Sequence, residues 1–416
     1  MPDVFLAVSV VGALFTLLAV AAPRRPAFFG APLFLAGWVT EELAPLHIAW
    51  QLVATIVFVA LGALRGPAGW AALALSVVSW SALVAATRWQ RGTGAIFAGA
   101  LDLATAPVVD GAATAKAVVS RAQLLSPFWM RRRGVERIAN VAYGDGRRHR
   151  LDVYRAEGTT GGAPVVLQIH GGAWVIGDKH QQGQPMLYHL ARRGWVGVAP
   201  NYRRSPRATF PDHLVDVKRA LAWVRTHGAE YGADPDFVVV TGGSAGGHLA
   251  ALVALTPNDP AFQPGFEGVD TRVAACVPMY GVYDFLDRCG VRSRRDSMRP
   301  FLERVVMKCS PEDCPERWEA ASPIAHVRPD APPFLVVHGG HDTLAWVEEA
   351  RCFVDALRAV SENPVLYAEL PHAPHAFDVM YTVRTAVLID AVGRWLDTLR
   401  RPAPRPTSLD AAGTRS

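Results

Sequence analysis

The sequence predicts an α/β fold, a mostly parallel central sheet with helices on both faces, preceded by an N-terminal transmembrane helical region. Three observations carry this. Short apolar runs alternate with helical periodicity from about residue 135 to 400, and glycine-rich turns directly follow two of those runs. Before them, the first 90 residues are dominated by Ala, Leu, Val and Phe and carry only a handful of charges. Runs buried on both sides and joined by helices are the signature of a parallel sheet covered on each face.

Half of the 416 residues are hydrophobic and only 19% are charged, an average over two unlike parts. Residues 4–22 are an apolar stretch of bilayer length. Asp3 precedes it, Arg24 and Arg25 follow, and more hydrophobic sequence comes next, so it reads as a retained span and not as a signal peptide. Residues 48–64 and 70–86 are two further spans, separated by Arg65-Gly66-Pro67. Residues 28–40 are short for a span and end at Glu41 and Glu42, carboxylates that are costly in lipid. Residues 28–40 are either a fourth, tilted span or an interfacial segment, so the region 1–90 holds three or four spans, and length favours four. With four, Arg24, Arg25 and Arg65 share the cytoplasmic face and the following domain is extracytoplasmic; Arg88 and Arg91 weigh against that. Localisation is thus a multi-pass cell-membrane protein. Residues 91–134 read as a helical linker or lid-associated segment, 135–400 as the catalytic domain, and 401–416 as a disordered Pro- and Arg-rich tail.

Inside 135–400 the expected strands are 150–154, 164–170, 195–199, 237–241, 273–279, 334–338 and 365–370. Residues 212–227 form a helix whose Leu214, Val217, Leu221 and Val224 share one face. Residues 283–323, between two strands, together with the helices before the domain, are the expected lid over an acyl pocket.

The chemistry sits at the ends of these strands. Gly242-Gly243-Ser244-Ala245-Gly246 follows the run 237–241 and opens a helix, the context in which a strained turn lifts a serine hydroxyl above a sheet. His170-Gly171-Gly172-Ala173-Trp174 follows an earlier strand. Its backbone N–H groups at Gly171, Gly172 and Ala173, with that of Ala245, are candidate oxyanion donors. A serine nucleophile needs a base and the base a carboxylate, from later strand ends in the order Ser, Asp, His. Asp342 follows strand 334–338. His375 and His372 both follow strand 365–370, and by chemistry both serve; His375 is preferred as the base. His170 is expected to orient its loop, while His213, His227, His248, His338 and His341 are structural or solvent-exposed, because a one-base triad leaves them no role.

The cysteines are Cys276, Cys289, Cys309, Cys314 and Cys352, without zinc-site spacing. Cys309 and Cys314 suit a small disulfide loop in an oxidising compartment, although five unlinked thiols is the favoured reading. The net charge of +5 includes the run Arg131-Arg132-Arg133 but no basic stripe interleaved with aromatics, so nucleic acid is excluded as a partner.

The catalytic portion resembles the hormone-sensitive-lipase-like carboxylesterases of the α/β-hydrolase fold, and within them the membrane-associated esterase/lipase proteins of actinobacteria. The resemblance runs over most of 150–395, through Leu151-Asp-Val-Tyr, His170-Gly-Gly-Ala-Trp174, Asn201-Tyr-Arg-Arg-Ser-Pro206, Phe210-Pro-Asp-His213, Thr241-Gly-Gly-Ser-Ala-Gly-Gly-His248, Ala321-Ser-Pro323, His338-Gly-Gly-His-Asp342 and His375-Ala-Phe-Asp378. It implies a triad of Ser244, Asp342 and His375, which favours His375 over His372, and an oxyanion loop around Gly171 to Ala173. Ala173 replaces the third glycine of many relatives, and Gly243 replaces an acidic residue, which leaves that subgroup's substrates without support here. The implied function is hydrolysis of short- to medium-chain esters with no cofactor and no metal. Alternatives are acyl transfer to, or deacylation of, cell-envelope lipids or glycans, and a non-catalytic membrane scaffold. The expected partners are a small-molecule or lipid ester and membrane lipids; oligomeric state is not fixed by the sequence.

Overall fold

The computed structural model describes residues 1–21, 30–102, 123, 125–292 and 298–400. The expected tail 401–416 and residues 103–122 of the expected segment 91–134 lie outside them.

Four helices come first: α1 (Pro2–Ala21), α2 (Gly30–Glu42), α3 (Ala44–Ala60) and α4 (Pro67–Asp102). Helices α1 and α4 start side by side, with Phe5 packed on Ala63 and Ala72, and run in the same direction; Ser9 meets Ser76 at 3.1 Å and Thr16 meets Ser79 at 2.7 Å. Helix α3 returns against them, Gln51 accepting from the Ser79 hydroxyl at 2.9 Å. The bundle is inside-out. These polar groups are buried, while Val11, Leu14, Leu17, Val53, Ile56 and Val78 are exposed. Where apolar side chains meet an apolar medium, small residues and interhelical hydrogen bonds hold helices together.

Helices α1 and α4 are each long and apolar enough to cross a membrane, and α2 with α3 makes one further candidate bent by 88°. Over the described part of 28–40, the helix α2 is by itself too short to cross a membrane. Helix α2 rises only about 20 Å at ~1.5 Å per residue, short of the ~30 Å hydrocarbon core, and turns at Leu43 into α3. Gly37 lets it cross α1 closely, since a Cβ there would meet the Leu18 carbonyl at 2.9 Å. Glu41 and Glu42 do not face solvent. Both are buried against Arg384, with Glu41 Oε1 2.7 Å from Arg384 Nη2, and Thr382 Oγ1 donates to Glu42 Oε2 at 2.9 Å. Gln90 Nε2 caps the turn by donating to the Glu41 carbonyl at 2.6 Å. The span expected to stop at residue 86 continues as one helix to Asp102, and its Phe97 and Ala100 join the core beneath the sheet.

The sheet has eight strands among the described residues: β1 (Val135–Ala142), β2 (Arg150–Ala156), β3 (Ala163–Ile169), β4 (Val196–Pro200), β5 (Ala233–Gly243), β6 (Ala275–Met279), β7 (Phe334–Gly339) and β8 (Val365–Leu370). Their order is β1-β2-β4-β3-β5-β6-β7-β8. β1 and β2 pair antiparallel, as do β2 and β4; every later pairing is parallel. Helices α5 (Gln184–Arg192), α6 (Asp212–His227), α7 (Ala245–Leu255), α8 (Pro315–Ala320), α9 (Val347–Val360) and α10 (Val383–Leu399) cover its two faces. This is the α/β-hydrolase arrangement. β1 escaped the sequence reading because its positions are mostly half-buried or exposed, with no apolar run.

The segment expected to be a lid is anchored in the core by a few large side chains. Phe285, Leu302, Met307 and Trp318 are buried with the strands, and residues 293–297 of it lie outside the described set. Two disulfides, Cys289–Cys352 and Cys309–Cys314, replace the five unlinked thiols, leaving Cys276 free and buried. The first ties the loop after β6 to α9, where Arg292 also pairs with Glu349 at 2.6 Å.

Candidate active site

Strand β5 ends at Gly243 and α7 begins at Ala245, so a single residue turns the chain. Ser244 has φ 58° and ψ −124°, a conformation that strains any residue with a Cβ. The turn closes only because its neighbours lack side chains: a Cβ on Gly246 would collide with the Ile169 carbonyl, and one on Gly243 with the Tyr280 hydroxyl. Ser244 N–H donates to the Met279 carbonyl at 3.0 Å, which fixes the elbow to the end of β6.

The loop after β3 lies alongside. A Cβ on Gly171 would stand 3.0 Å from Ser244 Cβ. Gly172, Ala173 and Trp174 all have positive φ (110°, 51° and 59°), curling the backbone around the serine. Trp174 anchors the curl, its Nε1–H donating to His248 Nδ1 at 3.2 Å and its ring meeting Phe285 edge-on at 5.4 Å. The expected lid segment thus backs this loop. Among the described residues no group accepts from the N–H of Gly172, Ala173 or Ala245. Gly171 differs from expectation: its N–H donates to Gln182 Oε1 at 2.6 Å, so it supplies space and not a donor. Gln182 had no motif to betray it.

Asp342, after β7, is fully buried and fully engaged. Its Oδ1 accepts from the N–H of Leu344 and Ala345 at 2.8 Å each, and its Oδ2 faces His375 Nδ1 at 2.7 Å and His338 Nε2 at 3.3 Å. Burial alone would raise its pKa, but the facing imidazoles of His375 and His338 hold it well below the usual carboxylate range. An ionised Asp342 requires a proton on His375 Nδ1, which leaves Nε2 with the free lone pair. The ring of Tyr280, the residue after Met279, packs 4.7 Å from that of His375 and its hydroxyl donates to Asp378. Ser244, Tyr280 and His375 are therefore neighbours at one edge of the sheet.

His372 is not brought to a carboxylate. Its Nδ1 lies 3.4 Å from His341 Nε2 and its ring stacks on Trp89 of α4 at 4.0 Å. His170 stacks on Tyr202 at 4.3 Å and is pushed down to about 4 by burial. His248 uses both nitrogens, to Trp174 and the Ala321 carbonyl, and burial pushes it down to about 3. These are neutral structural imidazoles, as is His213, buried beside Ser205; His338 is bonded to the Ala345 carbonyl and faces Asp342, and His227 pairs with Glu230 at the surface.

The N-terminal helices reach this site. Phe34 of α2 meets His375 edge-on at 6.0 Å, and Trp38 Nε1–H donates to the Ala376 carbonyl at 3.0 Å.

Comparison with known proteins agrees with this architecture. Residues 151–357 match the BD-FAE family model. The chain is 54% identical over 260 residues to the probable carboxylic ester hydrolase LipM of Mycobacterium tuberculosis, covering 62% of this chain and 60% of that protein. Over 283 residues it is 47% identical to the esterase LipQ of the same organism, covering 67% and 66%. The butyrate-bound structure of the esterase Est2 of Thermogutta terrifontis superposes with a TM-score of 0.54 at 26% identity, covering 66% of this chain and 97% of that one. The chain thus spans about 60% to 66% of the length of these two curated relatives.

Proposed function

We propose that the protein is a membrane-anchored serine carboxylesterase acting on short- to medium-chain esters, a reading supported by the match of residues 151–357 to the BD-FAE family model and by the likeness to LipM. The observation that carries it is the His375–Asp342 contact of 2.7 Å at the same sheet edge as a serine held at positive φ. His375 Nε2 takes the proton of Ser244 as its oxygen attacks the ester carbonyl, and Asp342 stabilises the imidazolium. The N–H groups of Gly172, Ala173 and Ala245 receive the oxyanion. The C–O bond breaks, the alcohol leaves with the proton from His375, and water then releases the acid from Ser244.

Short acyl chains fit the butyrate found in Est2. Membrane anchoring is supported by the inside-out bundle, and an extracytoplasmic catalytic domain by two disulfides, which persist in oxidising compartments. The test is hydrolysis of nitrophenyl esters of increasing chain length by wild type and Ser244→Ala. The variant should lose at least roughly 10³-fold in kcat with every ester. Equal rates in the two proteins would remove the mechanism.

A further inference from the structure

Helix α4 acts as a ruler. From Pro67, beside the start of α1, to Trp89 it rises about 33 Å at ~1.5 Å per residue, which is one hydrocarbon thickness. Trp89 is flanked by Arg88 and Arg91, the aromatic-with-basic pattern of a membrane–water boundary. At that level Trp89 stacks on His372, three residues before His375, with 4.0 Å between ring centroids. Helix α2 lies at the same level. It meets α3 at 88° and so runs across the direction of the bundle. Arg384, bound to Glu41 and Glu42, and Trp38, bound to Ala376, hold α2 against the histidine loop. Phe34 then points at His375, while its neighbour Leu35 is 52% exposed.

We infer that the ester reaches Ser244 out of the bilayer, along α2, and that Phe34 is the specificity-determining residue at that entrance. The substrate class is an acyl ester resident in a lipid leaflet, of the acylglycerol type, whose ester group lies at headgroup depth. This rests on the esterase reading above. An apolar ring between the catalytic imidazole and the lipid surface lets acyl chains slide to the site while restraining polar headgroups; a charged or small side chain there would break that continuity.

The test uses the full chain in phosphatidylcholine vesicles containing dioctanoylglycerol, with nitrophenyl butyrate as the soluble comparison. Wild type should hydrolyse both, and Phe34→Ser should lower the ratio of vesicle-ester to soluble-ester kcat/KM by about tenfold or more. Phe34→Leu, which keeps an apolar side chain, should restore most of that ratio. Equal loss on both esters, or a wild type that hydrolyses the soluble ester alone, would overturn the inference while leaving the esterase reading intact. A wild type inactive on both, like Ser244→Ala, would overturn the esterase reading and this inference with it.

Discussion

His372 and His375 stand three positions apart on the loop after β8, and their chemistry alone does not separate them. What separates them is distance: of the two, His375 is the one that meets Asp342, at 2.7 Å, while His372 is taken up by Trp89 and His341. Backbone donors are harder to read from sequence than side chains. The glycines at 171 and 172 look alike, yet Gln182 occupies one N–H and leaves the other. The buried histidines set a pH dependence of stability. His170 and His213 lie at about 4 and His248 at about 3, all lowered by burial from an ordinary 6.5. The unfolded chain therefore protonates first as pH falls. Their contribution is complete above about pH 6.5 and is lost toward pH 4, each adding about 1.4 kcal/mol per pH unit within that window. The melting midpoint should fall by several degrees between pH 7.5 and 5.0; a flat or rising midpoint would contradict these placements.

At the scale of elements, the parallel strands were legible because each holds a short apolar run, and the candidate site because its glycines and the proposed Ser244, Asp342 and His375 sit at strand ends. Strand β1 was not, since an edge strand with a half-exposed face leaves no apolar run. Helix α2 misled for a different reason. Glu41 and Glu42 look like the polar end of a span, and the cation that neutralises them, Arg384, lies 343 positions beyond Glu41. Local sequence carries no trace of such a partner. The disulfides are of the same kind: Cys289 and Cys352 are 63 positions apart, and only the fold brings the loop after β6 onto α9. Unreduced, denatured protein should present a single titratable thiol, that of Cys276. Reduction should lower stability by roughly 2–4 kcal/mol, because the longer bridge closes a large loop in the unfolded chain. Five thiols without reductant would refute the pairing.

Over the whole molecule, α4 belongs to both parts: it runs from the N-terminal bundle to the core beneath the sheet as one helix, placing Phe97 and Ala100 there. A second joint, the buried contact of Arg384 with Glu41 and Glu42, sits beside the histidine loop. The N-terminal helices thus stand beside the candidate site, and the proposed chemistry depends on one hydroxyl being turned into a nucleophile. The most direct measurement is labelling with a fluorophosphonate ester followed by peptide mapping. One adduct per chain should form, on Ser244, and be absent from Ser244→Ala and strongly slowed in His375→Ala. An adduct on another residue, or undiminished labelling of Ser244→Ala, would contradict the assignment of Ser244 as the nucleophile.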